Sequence, residues 1–230
     1  MNIWVHLAAV SGFIAAVFCM VGDAWIVGFD KNRIPDPAYH EVVKNGDYSF
    51  YIGASEKRLR RGALIGDYST PFLLCSLYAT YYLLGSGSFA LATVLILGAG
   101  FAYMPLAHCA FYYLGMVYRY RYAVYKKGYD MDEEGLREME EGIKGMLNKA
   151  WIPSIILTAV GWLMFTVYVA LGYSMLPRYF AIINPLPLSF FFMLTPKIPY
   201  PGKPLLDGAA FNMAGTLYYI VLLIHLMVIG

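Results

Sequence analysis

Five polar side chains stand in stretches of sequence that are otherwise apolar: Asp23, Asp67, His108, Asp207 and Asn212. A histidine with carboxylates is the raw material of acid–base chemistry, because an apolar setting moves both kinds of group toward proton exchange near neutrality. His108 and Asp67 read as the proton-transfer pair and Asp23 as the carboxylate that orients the ring. Asn212 and Tyr112 read as hydrogen-bonding positions for a substrate. Tyr112 follows His108 by one helical turn and so shares its face.

Each of these residues also has a purely structural reading. Asp23 can be a solvated carboxylate at a helix end, and Asp67 can pair with Arg60 or Arg61. His108 can donate to the Phe101 carbonyl, which Pro105 deprives of its helical partner. Asp207 can cap a helix N-terminus. Asn212 can join two helices. Any one of these is comfortable, but all five together at one depth are less so.

Other chemistries are missing. The four histidines form no H-x-x-x-H or H-E-x-x-H pair that offers zinc ligands. There is no G-x-S-x-G elbow, C-x-x-C pair or Gly-rich nucleotide loop. Cys19, Cys75 and Cys109 lie in apolar runs and make neither a disulfide framework nor a zinc cluster. No metal and no cofactor is expected, and a net charge of +2 gives no reason to expect nucleic acid.

The elements that must position these groups follow from composition. Of 230 residues, 60% are hydrophobic and only 14% charged, against roughly 45–50% and 25% in soluble domains. About twenty apolar residues at ~1.5 Å rise cross a hydrocarbon core. Six stretches meet that length: residues 3–22, 62–84, 89–117, 151–172, 179–195 and 208–229. The expected fold is an all-α, polytopic membrane bundle, one domain of six transmembrane helices. The first stretch lacks a basic start and an A-x-A site, so it reads as a retained helix and not a signal peptide. Ala8, Gly12 and Ala16 put a small-residue stripe on it for close packing.

If the N-terminus is outside, loops 30–61, 118–150 and 196–207 share the inner side. They carry every basic residue except Arg178. The positive-inside rule then puts both termini on the outer side of a cytoplasmic membrane. Within the middle loop, residues 130–149 read as an amphipathic helix with Leu136, Met139, Ile143, Met146 and Leu147 on one stripe. It is expected on the membrane surface or against the bundle, with partner docking as the alternative. Asn184, Pro185 and Pro187 break the fifth stretch near its outer third; broken helices expose carbonyls that can bind substrates, while the purely structural reading is a kink whose loose carbonyls Asn184 itself satisfies.

Three short elements carry a resemblance. Gly22-Asp23-Ala24-Trp25-Ile26-Val27-Gly28 closes the first span. Leu176-Pro177-Arg178-Tyr179-Phe180-Ala181 runs on to Asn184-Pro185, and Gly208-Ala209-Ala210-Phe211-Asn212 opens the last. In this order they resemble the G-D-L-L-L-G-like, L-P-R-W-M-A…N-P and G-A-G-F-N elements of an uncharacterised family of small bacterial membrane proteins, a domain of unknown function. His108 resembles a histidine on that family's third span. The chain departs at Tyr179 (Trp expected), at Ala210 (Gly expected) and in its long loop around residue 130. The resemblance implies a bacterial cytoplasmic membrane and adds weight to Asp23, His108, Asn184, Asn212 and Arg178, the last and Asn184 as binding positions. It implies no activity.

The function expected from these residues is an intramembrane enzyme acting on a lipid, isoprenoid or other hydrophobic molecule. Its partners would be membrane lipids and a hydrophobic ligand, with a homo-oligomer left open. The rival readings are a small transporter or channel whose carboxylates bind a proton or cation, and a non-catalytic assembly protein.

Overall fold

Side-chain caps set the helix starts. Asn2 Oδ1 accepts from the Trp4 N–H at 3.1 Å and opens α1, Ile3–Ile26. Ser55 Oγ accepts from the Arg58 N–H at 3.2 Å and opens α2, Glu56–Leu83. Gly87 precedes α3, Ser88–Lys126, and Asp132 Oδ1 caps α4, Glu133–Ala170, through the Gly135 N–H at 3.0 Å. Shorter pieces follow: a 3-10 turn at Arg178–Ala181, α5 at Pro185–Phe192 and α6 at Lys203–Gly208; the last helix is α7, Ala210–Ile229. This computed structural model describes residues 2–29, 36–39, 49–129, 132–194 and 202–229. Lys31, Arg33, Lys44 and Lys197, which enter the basic count, lie outside them, as do Asp130, Met131 and Thr195.

All regular structure among the described residues is helical. Among the described residues four helices, α1, α3, α4 and α7, are long and apolar enough to cross a membrane. Helix α2 has the length, 28 residues, but Asp67 and a series of Tyr, Ser and Thr dilute its apolar stretch.

Two expectations need correction. Residues 179–195 do not form one spanning helix: the described helix there has 8 residues, about 12 Å at ~1.5 Å per residue. Pro185 can only begin a helix cleanly, and Asn184 caps it. Nor is 130–149 a separate surface helix. Residues 133–149 are the first half of α4, 38 residues without a break, because Pro153 is accommodated inside the helix. This half packs on the end of α3, where Glu140 accepts from Arg121 Nη1 and from the Tyr118 hydroxyl, both at 2.6 Å. The buried positions are Glu140 and Leu147, while Met139 and Met146 face outward.

Hydrophobicity alone gives helices in lipid little reason to associate, so close packing and hydrogen bonds must do it. Gly22 lies against the Gly66 and Gly62 backbones: a Cβ there would sit 2.8 Å from the Gly66 nitrogen. Gly12 lies under the Tyr219 ring and Ala16 meets Gly215, so the small stripe of α1 faces α7. Ser154 donates to the Gly100 carbonyl at 2.9 Å and ties α4 to α3. At the other end, Gly28 and Gly208 touch backbone to backbone.

Candidate functional site

Three helices meet where Gly66 leaves room. A Cβ at Gly66 would stand 2.7 Å from His108 Cε1 and Nδ1, so the imidazole from α3 is seated on a bare backbone. Gly66 meets α1 through Gly22 on the same turn, which brings the last turn of α1 within reach. His108 Nε2 lies 3.2 Å from Asp23 Oδ1. On the other side of the ring, Nδ1 is 3.5 Å from Asp67 Oδ1. From α7, Asn212 Nδ2 donates to Asp23 Oδ2 at 2.6 Å. Four of the residues singled out in the sequence, from four helices, therefore form one contact chain: Asn212, Asp23, His108, Asp67.

The chain is not evenly bonded. Both oxygens of Asp23 are occupied, one by the imidazole and one by the Asn212 amide. Asp67 Oδ1 and His108 Nδ1 are buried and have no hydrogen-bond partner among the described residues. Asp67 Oδ2 receives only the Cys109 thiol, at 3.4 Å. The His108 side chain is 10% exposed and that of Asp67 18%. Each ring nitrogen faces a carboxylate oxygen, so an imidazolium suits both contacts, and a neutral ring leaves one contact without a proton unless a carboxyl carries it. The arrangement can hold a proton at His108 and pass it along either contact.

Asp23 is fixed from below. Arg58 Nε donates to the Trp25 carbonyl at 2.9 Å and its Nη2 to those of Ala24 and Gly28, at 3.2 and 2.7 Å. A guanidinium thus gathers the open carbonyls of the α1 C-terminus, where the helix dipole favours a cation. It also stacks 3.7 Å from the Phe29 ring centroid. Next to the site, the Cys19 thiol donates to Ser69 Oγ at 2.9 Å, and Ser69 in turn donates to the Gly66 carbonyl.

Other expected positions lie elsewhere. Tyr112 donates to Glu56 Oε1 at 3.4 Å and does not join the histidine chain. Asn184 is fully buried; its amide donates to Thr166 Oγ1, to the Phe180 carbonyl and to the Ala181 carbonyl at 2.9–3.1 Å. The carbonyls loosened by the break are thereby satisfied. Arg178 is exposed beside Gly172. Asp207 is no helix cap: it pairs with Lys203, 3.2 Å away within α6. Asp67 pairs with neither Arg60 nor Arg61, since Arg60 is held by Glu56. Among the described residues no group of three or more His, Cys, Asp or Glu side chains could hold a metal ion.

Sequence reasoning missed Gly66, Arg58 and Cys109. Gly62 and Gly66 did carry a signal, the G-x-x-x-G spacing of closely packed helices in lipid. Arg58 had none beyond membership in a basic run.

Neither the curated proteins nor the solved structures contain a match to this chain. A family model does match, over residues 1–228. The chain belongs to that family, a family of unknown function (DUF6796).

Proposed function

We propose that this protein is an intramembrane enzyme that acts by acid–base chemistry on a lipid, isoprenoid or similar hydrophobic molecule. One observation carries the reading: an imidazole with a carboxylate at each ring nitrogen, of which only Asp67 has bonding capacity to spare. Asp23, spent on His108 and Asn212, orients the ring. Asp67 meets the substrate and exchanges a proton with it, and His108 holds or returns that proton. Positioned acid–base groups of this kind are worth about 10²–10⁴ in rate. The transporter reading draws less support, because Asn184 accounts for the carbonyls of the broken segment.

The site belongs in a lipid bilayer crossed six times, with both termini on the outer side of a cytoplasmic membrane. Two contacts support six crossings. The Met175 N–H bonds the Leu83 carbonyl at one end of the bundle, while Gly208 abuts Gly28 at the other. The segment between residues 175 and 208 therefore travels the length of the bundle, although its described helix is short. A topology reporter fused at the C-terminus should read extracytoplasmic.

The catalytic reading is tested in nanodiscs made from total bacterial lipid. Purified protein is incubated in D2O and the organic extract analysed by mass spectrometry. One lipid class should gain deuterium or change mass, and D67N and H108Q should abolish the change. No change with wild-type protein, or an equal change with both variants, removes the reading.

A further inference from the structure

We propose that Arg60 binds the phosphate headgroup of an amphiphile whose reacting portion lies deeper, at Asp67; this deepens the acid–base reading and rests on it. The two residues are seven apart on α2, so they share a face to within about 20° and are separated by ~10 Å of helix rise. No proline intervenes, and Pro71 lies beyond Asp67. A guanidinium thus stands about two turns from the under-bonded carboxylate, at the end of α2 that follows the 3-10 turn Ser49–Gly53.

The three arginines at this end of α2 differ in what they have left to offer. Arg58 is spent on three carbonyls of α1. Arg61 lies over the Trp25 ring at 5.9 Å. Arg60 is 58% exposed in its side chain, and its Nε meets Glu56 Oε1 at 3.4 Å. Its two terminal nitrogens have no partner among the described residues. Glu56 also receives the Tyr112 hydroxyl at 3.4 Å, so a residue of α3 and the Arg60 guanidinium of α2 meet at one carboxylate oxygen. This gives Tyr112 a place outside the histidine chain but beside Arg60's partner.

The chemistry selects the ligand. A planar guanidinium with its terminal fork open binds phosphate oxygens in pairs, and a phosphomonoester headgroup offers it more oxygens and more negative charge than the diester of a zwitterionic lipid. The apolar portion then runs from Arg60 toward Asp67, along the faces of α2 and α3 that carry Cys109 and Tyr112. The spacing predicts a reacting atom about 10 Å from the phosphorus.

Native mass spectrometry of the full chain in detergent tests this, with dioleoylphosphatidate, dioleoylphosphatidylcholine and inorganic phosphate as probes. Wild-type protein should retain phosphatidate and not phosphatidylcholine. R60Q should lose at least about tenfold of the phosphatidate adducts, R60K should recover part of them, and R137Q, an exposed basic side chain of α4 paired with Glu141, should behave as wild type. Millimolar inorganic phosphate should fail to displace the lipid; equal displacement would mean that a free phosphate suffices and would overturn the amphiphile. Equal retention by R60Q and wild type, with R60Q monodisperse, would overturn the site altogether. D67N separates the two levels. Retained adducts with lost turnover support both, whereas retained adducts with retained turnover leave the headgroup site standing and remove the acid–base reading.

Discussion

Among the described residues two buried carboxylate clusters are bonded to very different degrees. Around Glu140 the carboxylate is closely held: Tyr118 and Arg121 each donate at 2.6 Å and Lys144 pairs as well. Around His108 the ionic contacts are 3.2 and 3.5 Å, and Asp67 Oδ1 and His108 Nδ1, which face each other across the longer one, make no hydrogen bond. A carboxylate held by short bonds to cations is fixed, because its charge has been compensated. A carboxylate held at longer range leaves proton positions closer in energy and an oxygen able to take a further partner. The bonding of the carboxylate thus separates a cluster that joins α3 to α4 from one that can do chemistry.

The largest expected effect breaks this comparison directly. Glu140→Ala strands Arg121 in a buried setting and should cost about 3–5 kcal/mol, the scale of a broken buried pair. His108→Gln should cost clearly less stability while removing any turnover. Thermal unfolding of both variants in the same detergent decides it. If H108Q lowers the midpoint as much as E140A, the histidine cluster is structural too.

A smaller effect sharpens the looser side. Gly66→Ala introduces a Cβ 2.7 Å from the imidazole, which should cost about 1–3 kcal/mol by overpacking and displace the ring from both carboxylates. Nitrogen chemical shifts of labelled His108 should move in G66A; unchanged shifts would mean the ring is not held by that seat. Arg58→Gln comes next. It uncovers three carbonyls at the α1 C-terminus, and hydrogen bonds from a charged donor are worth about 1.5–3 kcal/mol when enclosed, less here because Arg58 is only partly buried. Hydrogen exchange over residues 23–28 should accelerate in R58Q while α3 stays protected.

Much of the site was legible because a bilayer makes polar residues costly. Asp23, Asp67, His108 and Asn212 stood out from apolar surroundings and needed one another. Depth along each helix followed from counting residues, but rotation did not, so Tyr112, one turn from His108, was grouped with it although its hydroxyl reaches Glu56 instead. The fifth stretch departs from a single helix for a different reason. Residues 179–195 are mostly apolar, and hydropathy cannot distinguish a crossing helix from a 3-10 turn and a short helix tied by Asn184. Glu140 was hidden because an acid in a charged loop looks solvated until α3 supplies Tyr118 and Arg121. The break expected before residue 151 never formed, since Lys149, Ala150 and Trp151 are all compatible with a continuing helix.

The smallest effect concerns a carboxylate between the two extremes. Asp36 accepts from the Tyr39 backbone N–H at 3.2 Å and from the Tyr122 hydroxyl at 3.0 Å, with Lys126 3.5 Å away. These contacts, the Tyr39 N–H foremost, hold its carboxyl below the usual range. A carboxyl lowered in the docked state stabilises docking when ionised. That contribution is complete above the ordinary value, about 3.9, and is lost as the pH falls through the lowered one. Segment 36–39 should therefore stay docked on α3 at about pH 6 and loosen only below about pH 4, where Asp36 takes up its proton. The loosening should be partial, because Tyr39 also packs against the Tyr122 and Tyr125 rings at 5.1 and 5.0 Å, contacts that do not titrate in acid. Oxidative footprinting of Tyr39 across that range should show rising reactivity in the wild type. Asp36→Asn, which cannot ionise, should give a flat profile; an equal rise in the variant would assign the acid response to another group.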